Sequence, residues 1–303
     1  MRHVPSRLGH SGAAACGRTR RGAARWRAAR RGPVAGRRKV SESKASAAAA
    51  TLWRNFQLRT RIDELPAELR PTNRAEGYAV QAEIVRLSGR TIAGWKIAAT
   101  SQAGQRHIGV DGPMASALLD NRVVQDAASV PVLSLDGNIM NVAEAEFAFR
   151  FGKPLPRRST PYSRHEVLDA VESMHPGMEL PDSRYTDFLR VGAPQLIADL
   201  ACACWFVLGP ATKADWRSRD LVTHRVDAYR NGELVVSGVG ANVLGDPIVA
   251  LTWMANELAA HGRGLGVGEF VTTGTCVVPV AVAPGDRCRV DLGDFGAVEA
   301  ALA

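Results

Sequence analysis

The residues NVAEAEFAFRF (141–151) constrain the fold more than any other stretch, because apolar or small residues alternate with charged ones at a period of two. On a strand that period puts Glu144, Glu146, Ala148 and Arg150 on one face and Ala145, Phe147, Phe149 and Phe151 on the other. The aromatic face needs a core, so the chain must build a sheet with something packed against it. The other face begins with two carboxylates one pleat apart. Like charges so placed repel, and water or a cation must stabilise them. The spacing alone leaves two readings open, a solvated acidic face or half of a cation site. Glu179, in GMELPDSR after Pro176, adds a third carboxylate on an expected short strand, Met178 to Leu180. Three carboxylates with no His or Cys suit a hard divalent ion, Mg²⁺ or Mn²⁺, with open positions for water or substrate.

Lys96 lies in GWKIAATS, where apolar neighbours bury part of its stem and aim its ammonium into a pocket or out to solvent. Charge arithmetic favours one shared site. Three carboxylates and a divalent ion leave −1, which one ammonium neutralises. The five cysteines are odd in number and contain no C-x-x-C pair, so free thiols and a cytoplasmic location are expected. Cys202 and Cys204 in LACACWFVL are expected on one face of a strand, buried and structural. His107, His165, His175, His224 and His261 show no paired spacing and are read as surface or capping residues. GVGANVLG (238–245) misplaces the third glycine of a dinucleotide fingerprint.

The net charge of +8 misleads about partners. Residues 1 to 40 carry twelve basic side chains and no acidic one, leaving 26 basic against 30 acidic residues from position 41 onward, a net −4. The chain is therefore read as a basic disordered tail (1–42) on a mildly acidic body (43–303), of which nucleic-acid binding is not expected. The tail's composition fits a start site upstream of the true one, with Val40 as a GUG start; disorder without function; a transit peptide; or an RNA-binding arm. No run of 18 apolar residues offers a membrane span.

Within the body, residues 43–90 read as helical and 91–303 as β-rich. A helix is expected from Ser43 until Pro66, and a second from the Asn73/Glu76 cap to Gly89. TIAGWKIA (91–98) is a strand. Ser163 with Glu166 starts a helix expected to run through Val171 and Met174 to Pro176. Asn231-Gly232 marks a hairpin, Asp246-Pro247 a helix running to Gly262, and Pro284-Gly285-Asp286 a turn between late strands. Helices first, then strands with a few interleaved helices, make an α+β fold.

GWKIAATS, GVDGP, AEAEFAF, MELPDSR, NGELVVSGVGANVLGDP and PGD, in this order, resemble the hydratase and decarboxylase family of aromatic meta-cleavage pathways. These are the 2-oxopent-4-enoate (2-keto-4-pentenoate) hydratases and 4-oxalocrotonate decarboxylases of the fumarylacetoacetate hydrolase superfamily. The resemblance spans about residues 45 to 303. It implies a small helical N-terminal part on a mixed β-roll, a homo-oligomer, and one Mg²⁺ or Mn²⁺ held by Glu144, Glu146 and Glu179. It maps the active-site lysine onto Lys96, and Arg184 and Thr275 are then candidates for binding a small 2-oxo acid. The implied reaction is addition of water to a 2-hydroxy-2,4-dienoate, giving a 4-hydroxy-2-oxo acid, or loss of CO₂ from a 2-oxo-enedioate.

Two departures bear on the substrate. Typical hydratases carry an aspartate where this chain has Met114, and decarboxylases carry an apolar residue there. Family members tend to read A-D-N-x-S where this chain has Ala198, Asp199, Leu200, Ala201 and Cys202. A substrate more apolar at its far end is expected. A competing reading makes the chain a catalytically weak partner subunit of another enzyme in the same pathway. Intact Glu144, Glu146, Glu179 and Lys96 argue against it.

Overall fold

The computed structural model describes residues 43–125 and 129–303. The basic tail therefore lies outside the described residues. Helix α1 (Lys44–Leu58) starts on the Ser43 side chain and α2 (Arg74–Ser88) on Asn73, which accepts from the Glu76 N–H. Gly89 closes α2 in a left-handed conformation. Helix α1 stops well before Pro66, which corrects the expected extent. Arg59 turns left-handed and donates its N–H to the Asn55 carbonyl, and Leu65 is buried in the following loop.

The remaining elements are β1 (Ile92–Ala98), α3 (Gln102–His107), β2 (Met114–Leu119), β3 (Val123–Gln125), β4 (Val132–Leu133), β5 (Val142–Phe151) and α4 (Arg164–Ala170). They continue with β6 (Val171–Leu180), α5 (Gly192–Ala198), β7 (Trp205–Leu208), β8 (Arg225–Arg230), β9 (Glu233–Val239) and α6 (Pro247–Ala260). The chain closes with β10 (Phe270–Thr275), β11 (Val280–Ala281), β12 (Arg287–Asp291) and β13 (Ala297–Leu302). One sheet runs β2-β1-β10-β5-β6-β7-β3, with β11 also on β5, and a second runs β4-β13-β12-β8-β9. Pairs β1/β10, β3/β7 and β4/β13 are parallel and the others antiparallel, so the fold is α+β with mixed sheets. Asn231 and Gly232 both take positive φ in the β8–β9 hairpin, as its two-residue turn requires.

The helix expected to reach Pro176 ends at Ala170, where β6 begins. The Ser163/Glu166 capping box is present, but long-range pairing overrides the helical spacing of Val171 and Met174. From Val171 opposite Phe151 to Glu179 opposite Glu144, β6 pairs along β5. Pro176 sits inside the strand, one residue before its pairing with β7 begins.

Both faces of β5 are buried. Phe147, Phe149 and Phe151 join the larger core with Met174, Met178 and α6, while Ala148 joins a second core with α1, α2, Phe206 and Phe270. The N-terminal helices thus cover part of the very face that carries the carboxylates.

Candidate metal centre

Glu144 and Glu179 are register partners across β5 and β6, and Glu146 lies one pleat along β5. One oxygen from each carboxylate falls within 4.8 Å of the other two. Lys96 comes from β1, three strands from β6 in the sheet order, yet its Nζ lies 3.1 Å from Glu179 Oε1. Strands are spaced about 4.8 Å apart and side chains stand roughly perpendicular to a sheet, so only a curled sheet brings these two together. The Lys96 ammonium also donates to the Ala201 carbonyl at 3.0 Å.

Glu146 and Glu179 are fully buried and Glu144 is half-buried at the edge of a cavity. Burial pushes Glu144 up to about 7, reinforced by Glu179. Burial also lifts Glu146 to about 7, with Glu144 adding to it, against the Thr272 hydroxyl and Gly274 N–H, which favour its charged form. Glu179 rises to about 8 through burial, although Lys96 pulls it down. Lys96 is held above its usual range: burial alone would lower it, but Glu179, Glu144, Cys202 and Glu146 outweigh that.

The donor set fits a hard cation on observation, not on count alone. Glu146 Oε1 and Glu179 Oε2 are buried without a hydrogen bond, and Glu179 Oε1 meets only the Lys96 ammonium, 3.1 Å away. Such orphaned acceptors are costly unless something positive meets them. Their ligand chemistry is all oxygen, and three carboxylates against Lys96 leave −2, which one divalent cation neutralises.

Two residues missed in the sequence fix the centre. The Thr272 hydroxyl donates to Glu146 Oε2, and the Gly274 N–H donates to the same oxygen at 2.7 Å. That leaves Oε1 free for a ligand. Gly274 has φ +93°, and a Cβ there would lie 2.4 Å from Thr100 Oγ1. The signal was present in TTGT (272–275): a glycine inside a strand pattern marks a bulge or a close approach. Here β10 shifts register against β5 between Thr272 and Thr275.

A cavity of about 110 Å³ opens beside Lys96 and Glu144, walled by Ile108, Met114, Met140 and Phe188, with Thr275 and Cys202 on its lining. It adjoins a wider groove of about 1000 Å³ that shares Thr100, Ser101 and Thr275. Thr275 is thus where a substrate contact is expected, though its hydroxyl donates to Val277 O at 2.9 Å. Arg184 is not. It is 2% exposed, lies outside the cavity lining, and its guanidinium is occupied by Asp199 and the Asp199 and Ala203 carbonyls.

Cys202 and Cys204 do not share a strand face. Residues Leu200–Cys202 form a tight turn with φ of 54°, 43° and 65°, and β7 starts only at Trp205. The expectation that the histidines sit at the surface fails for His175, which is buried and bonds Ser173 and the Gly209 carbonyl, and for His224, half-buried between Phe147 and Phe295. Among the described residues no helix is long and apolar enough to cross a membrane.

A curled mixed sheet that gathers three carboxylates and a lysine around one small cavity defines a class of proteins built to hold a cation beside a small ligand. A family profile described as "Fumarylacetoacetate (FAA) hydrolase C-terminal" matches residues 121–303. The chain belongs to the fumarylacetoacetate hydrolase family. It is 33% identical over 254 residues to a 2-keto-4-pentenoate hydratase of Paraburkholderia xenovorans (strain LB400), covering 83% of this chain and 92% of that one. It is 34% identical over 229 residues to a 4-oxalocrotonate decarboxylase of Pseudomonas putida, covering 75% and 84% respectively. Its fold matches a 4-oxalocrotonate decarboxylase from Pseudomonas putida G7, complexed with magnesium and adipate, at a TM-score of 0.77 and 30% identity. That match covers 88% of this chain and 100% of the other.

Proposed function

We propose that this protein is a metal-dependent lyase of the hydratase type, adding water to a 2-hydroxy-2,4-dienoate to give a 4-hydroxy-2-oxo acid in the degradation of aromatic compounds. The observation that carries the reading is the convergence of Glu144, Glu146, Glu179 and Lys96, with Lys96 and Glu144 on the wall of one cavity and orphaned oxygens on Glu146 and Glu179. Relatives named as 2-keto-4-pentenoate and 2-hydroxyhexa-2,4-dienoate hydratases support it.

Glu144, Glu146 and Glu179 would hold Mg²⁺ or Mn²⁺. A cation held there supplies Lewis-acid stabilisation for negative charge developing on the substrate's C2 oxygen. Lys96 has three N–H donors. One bonds Ala201 O and one faces Glu179, which leaves the third to orient the substrate or pass a proton during ketonisation. Thr275 lines the same cavity and would contact the bound acid. Ile108, Met114, Met140 and Phe188 would give the substrate's far end an apolar wall.

A second reading, decarboxylation of a 2-oxo-enedioate, is favoured by Met114, which is buried in the wall where an aspartate would serve a hydratase. An apolar wall disfavours a carboxylate relative to departing CO₂. The test gives the protein Mg²⁺ with either 2-hydroxypenta-2,4-dienoate or 2-oxohex-3-enedioate, following ultraviolet absorbance and CO₂ together. Loss of the dienoate without CO₂ selects hydration, and CO₂ from the diacid alone selects decarboxylation. Turnover of neither sinks the lyase reading. Assembly as a homo-oligomer belongs to the same proposal and is read by sedimentation.

A further inference from the structure

Lys96 has two anchors, and only Glu179 belongs to the carboxylate cluster. The other is the Ala201 carbonyl, available because its neighbours are already engaged. Asp199 O accepts from Cys202 N, Leu200 O from Ala203 N, and Cys202 O from Asp182 N. Leu200, Ala201 and Cys202 are all left-handed, with φ of 54°, 43° and 65°. Side-chain-bearing residues seldom adopt that conformation three times in succession, so the surroundings must impose it.

Arg184 and Asp199 bracket the run. The Asp199 carboxylate accepts from the Ser183 hydroxyl at 2.8 Å and the Arg184 N–H at 2.9 Å, and it pairs with Arg184 Nε. The guanidinium then donates through Nη2 to the Asp199 carbonyl and through Nη1 to the Ala203 carbonyl at 3.2 Å. It therefore grips both ends of the left-handed run. Both residues are at most 2% exposed, and neither lines the cavity.

We propose that Arg184 and Asp199 are positioning residues for Lys96: they hold the left-handed run so that the Ala201 carbonyl fixes the ammonium beside the carboxylate cluster. The inference rests on Lys96 as the group that orients the substrate. A lysine has a long flexible stem, and one anchor alone leaves its ammonium free to follow that anchor. With Glu179 committed to a cation, the Ala201 carbonyl is the fixed acceptor that remains.

The test uses the full chain with Arg184→Lys, which keeps a charge opposite Asp199 but cannot bridge both carbonyls. A second variant, Ser183→Ala, takes from Asp199 the hydroxyl that donates to it at 2.8 Å while leaving the ion pair intact. Three readouts are taken: kcat and KM; the acetylation rate of Lys96 by acetic anhydride, read by mass spectrometry; and alkylation of the fully buried Cys276 as a gauge of global opening. The expected result is a fall in kcat of about tenfold or more with KM within about threefold, since misplacement by a fraction of an ångström costs rate rather than binding. Lys96 acetylation rises by about tenfold or more while Cys276 stays protected. A large rise in KM at unchanged kcat would make Arg184 a substrate ligand and overturn the proposal. Unchanged Lys96 labelling in a folded variant overturns it equally. If Arg184→Lys fails to fold, Ser183→Ala carries the same readouts in the same direction. Labelling needs no turnover, so an inactive wild type sinks the lyase reading and leaves the clamp still on trial.

Discussion

Glu144 and Glu179 stand directly opposite each other across β5 and β6, two carboxylates in a register position where like charges repel. Lys96, 3.1 Å from Glu179, offsets part of that repulsion, and a cation held by the three carboxylates would offset the rest. Removing cations should therefore weaken the fold. Against a chelator-treated sample, saturating Mg²⁺ is expected to raise the melting temperature by about 5–10 °C, the effect of a ligand at roughly a hundred times its Kd on a chain of this size. Scanning fluorimetry in chelator and in Mg²⁺ checks it.

The pH dependence follows from the same groups. Burial raises Glu144 and Glu146 to about 7 and Glu179 to about 8, so the native metal-free protein binds more protons than the unfolded chain between about pH 4.5 and 8. Stability of the metal-free protein is predicted to fall as pH rises through that window and to level off above it. Saturating Mg²⁺, which replaces those protons, should remove the fall. Urea midpoints at pH 5, 6.5 and 8, with chelator and with Mg²⁺, give the difference, and parallel curves would contradict the burial of charge at this centre.

Glu144→Gln removes one ligand and one repelling charge together. Divalent-ion binding and turnover are expected to be lost, while the metal-free protein melts at the same temperature as wild type or higher. A variant that keeps full activity would refute Glu144 as a ligand.

Gly274→Ala tests the support beneath Glu146. The added methyl meets Thr100 Oγ1 at 2.4 Å on a backbone with φ +93°. A loss of about 1–3 kcal/mol of stability is expected. Because the Gly274 N–H holds Glu146 Oε2, Mn²⁺ affinity should fall as well. A destabilised variant with undiminished affinity would separate Gly274 from the centre.

Local chemistry made much of this protein legible before its structure. The period-two run placed Glu144 and Glu146 together, the Ser163/Glu166 box and the Asn231-Gly232 turn formed as expected, and Lys96 joined the carboxylates. Illegible were features decided by partners distant in sequence. Pairing with β5 turned residues 171–176 from the expected helix into strand and carried Pro176 inside β6. Asp199 took the guanidinium of Arg184 away from the cavity. The left-handed turn at 200–202 left no local signature, because Leu, Ala and Cys have no preference for that conformation. Only Gly274 offered a signal that a closer reading of TTGT would have caught.

The most direct test of the cation centre is a Mn²⁺ titration of chelator-treated wild-type protein near pH 8, with free Mn²⁺ followed by electron paramagnetic resonance and Mg²⁺ added as competitor. One Mn²⁺ bound per chain and displaced by Mg²⁺ is the predicted result. No saturable binding, or binding that persists undiminished when Glu144, Glu146 and Glu179 are all changed to glutamine, would contradict it.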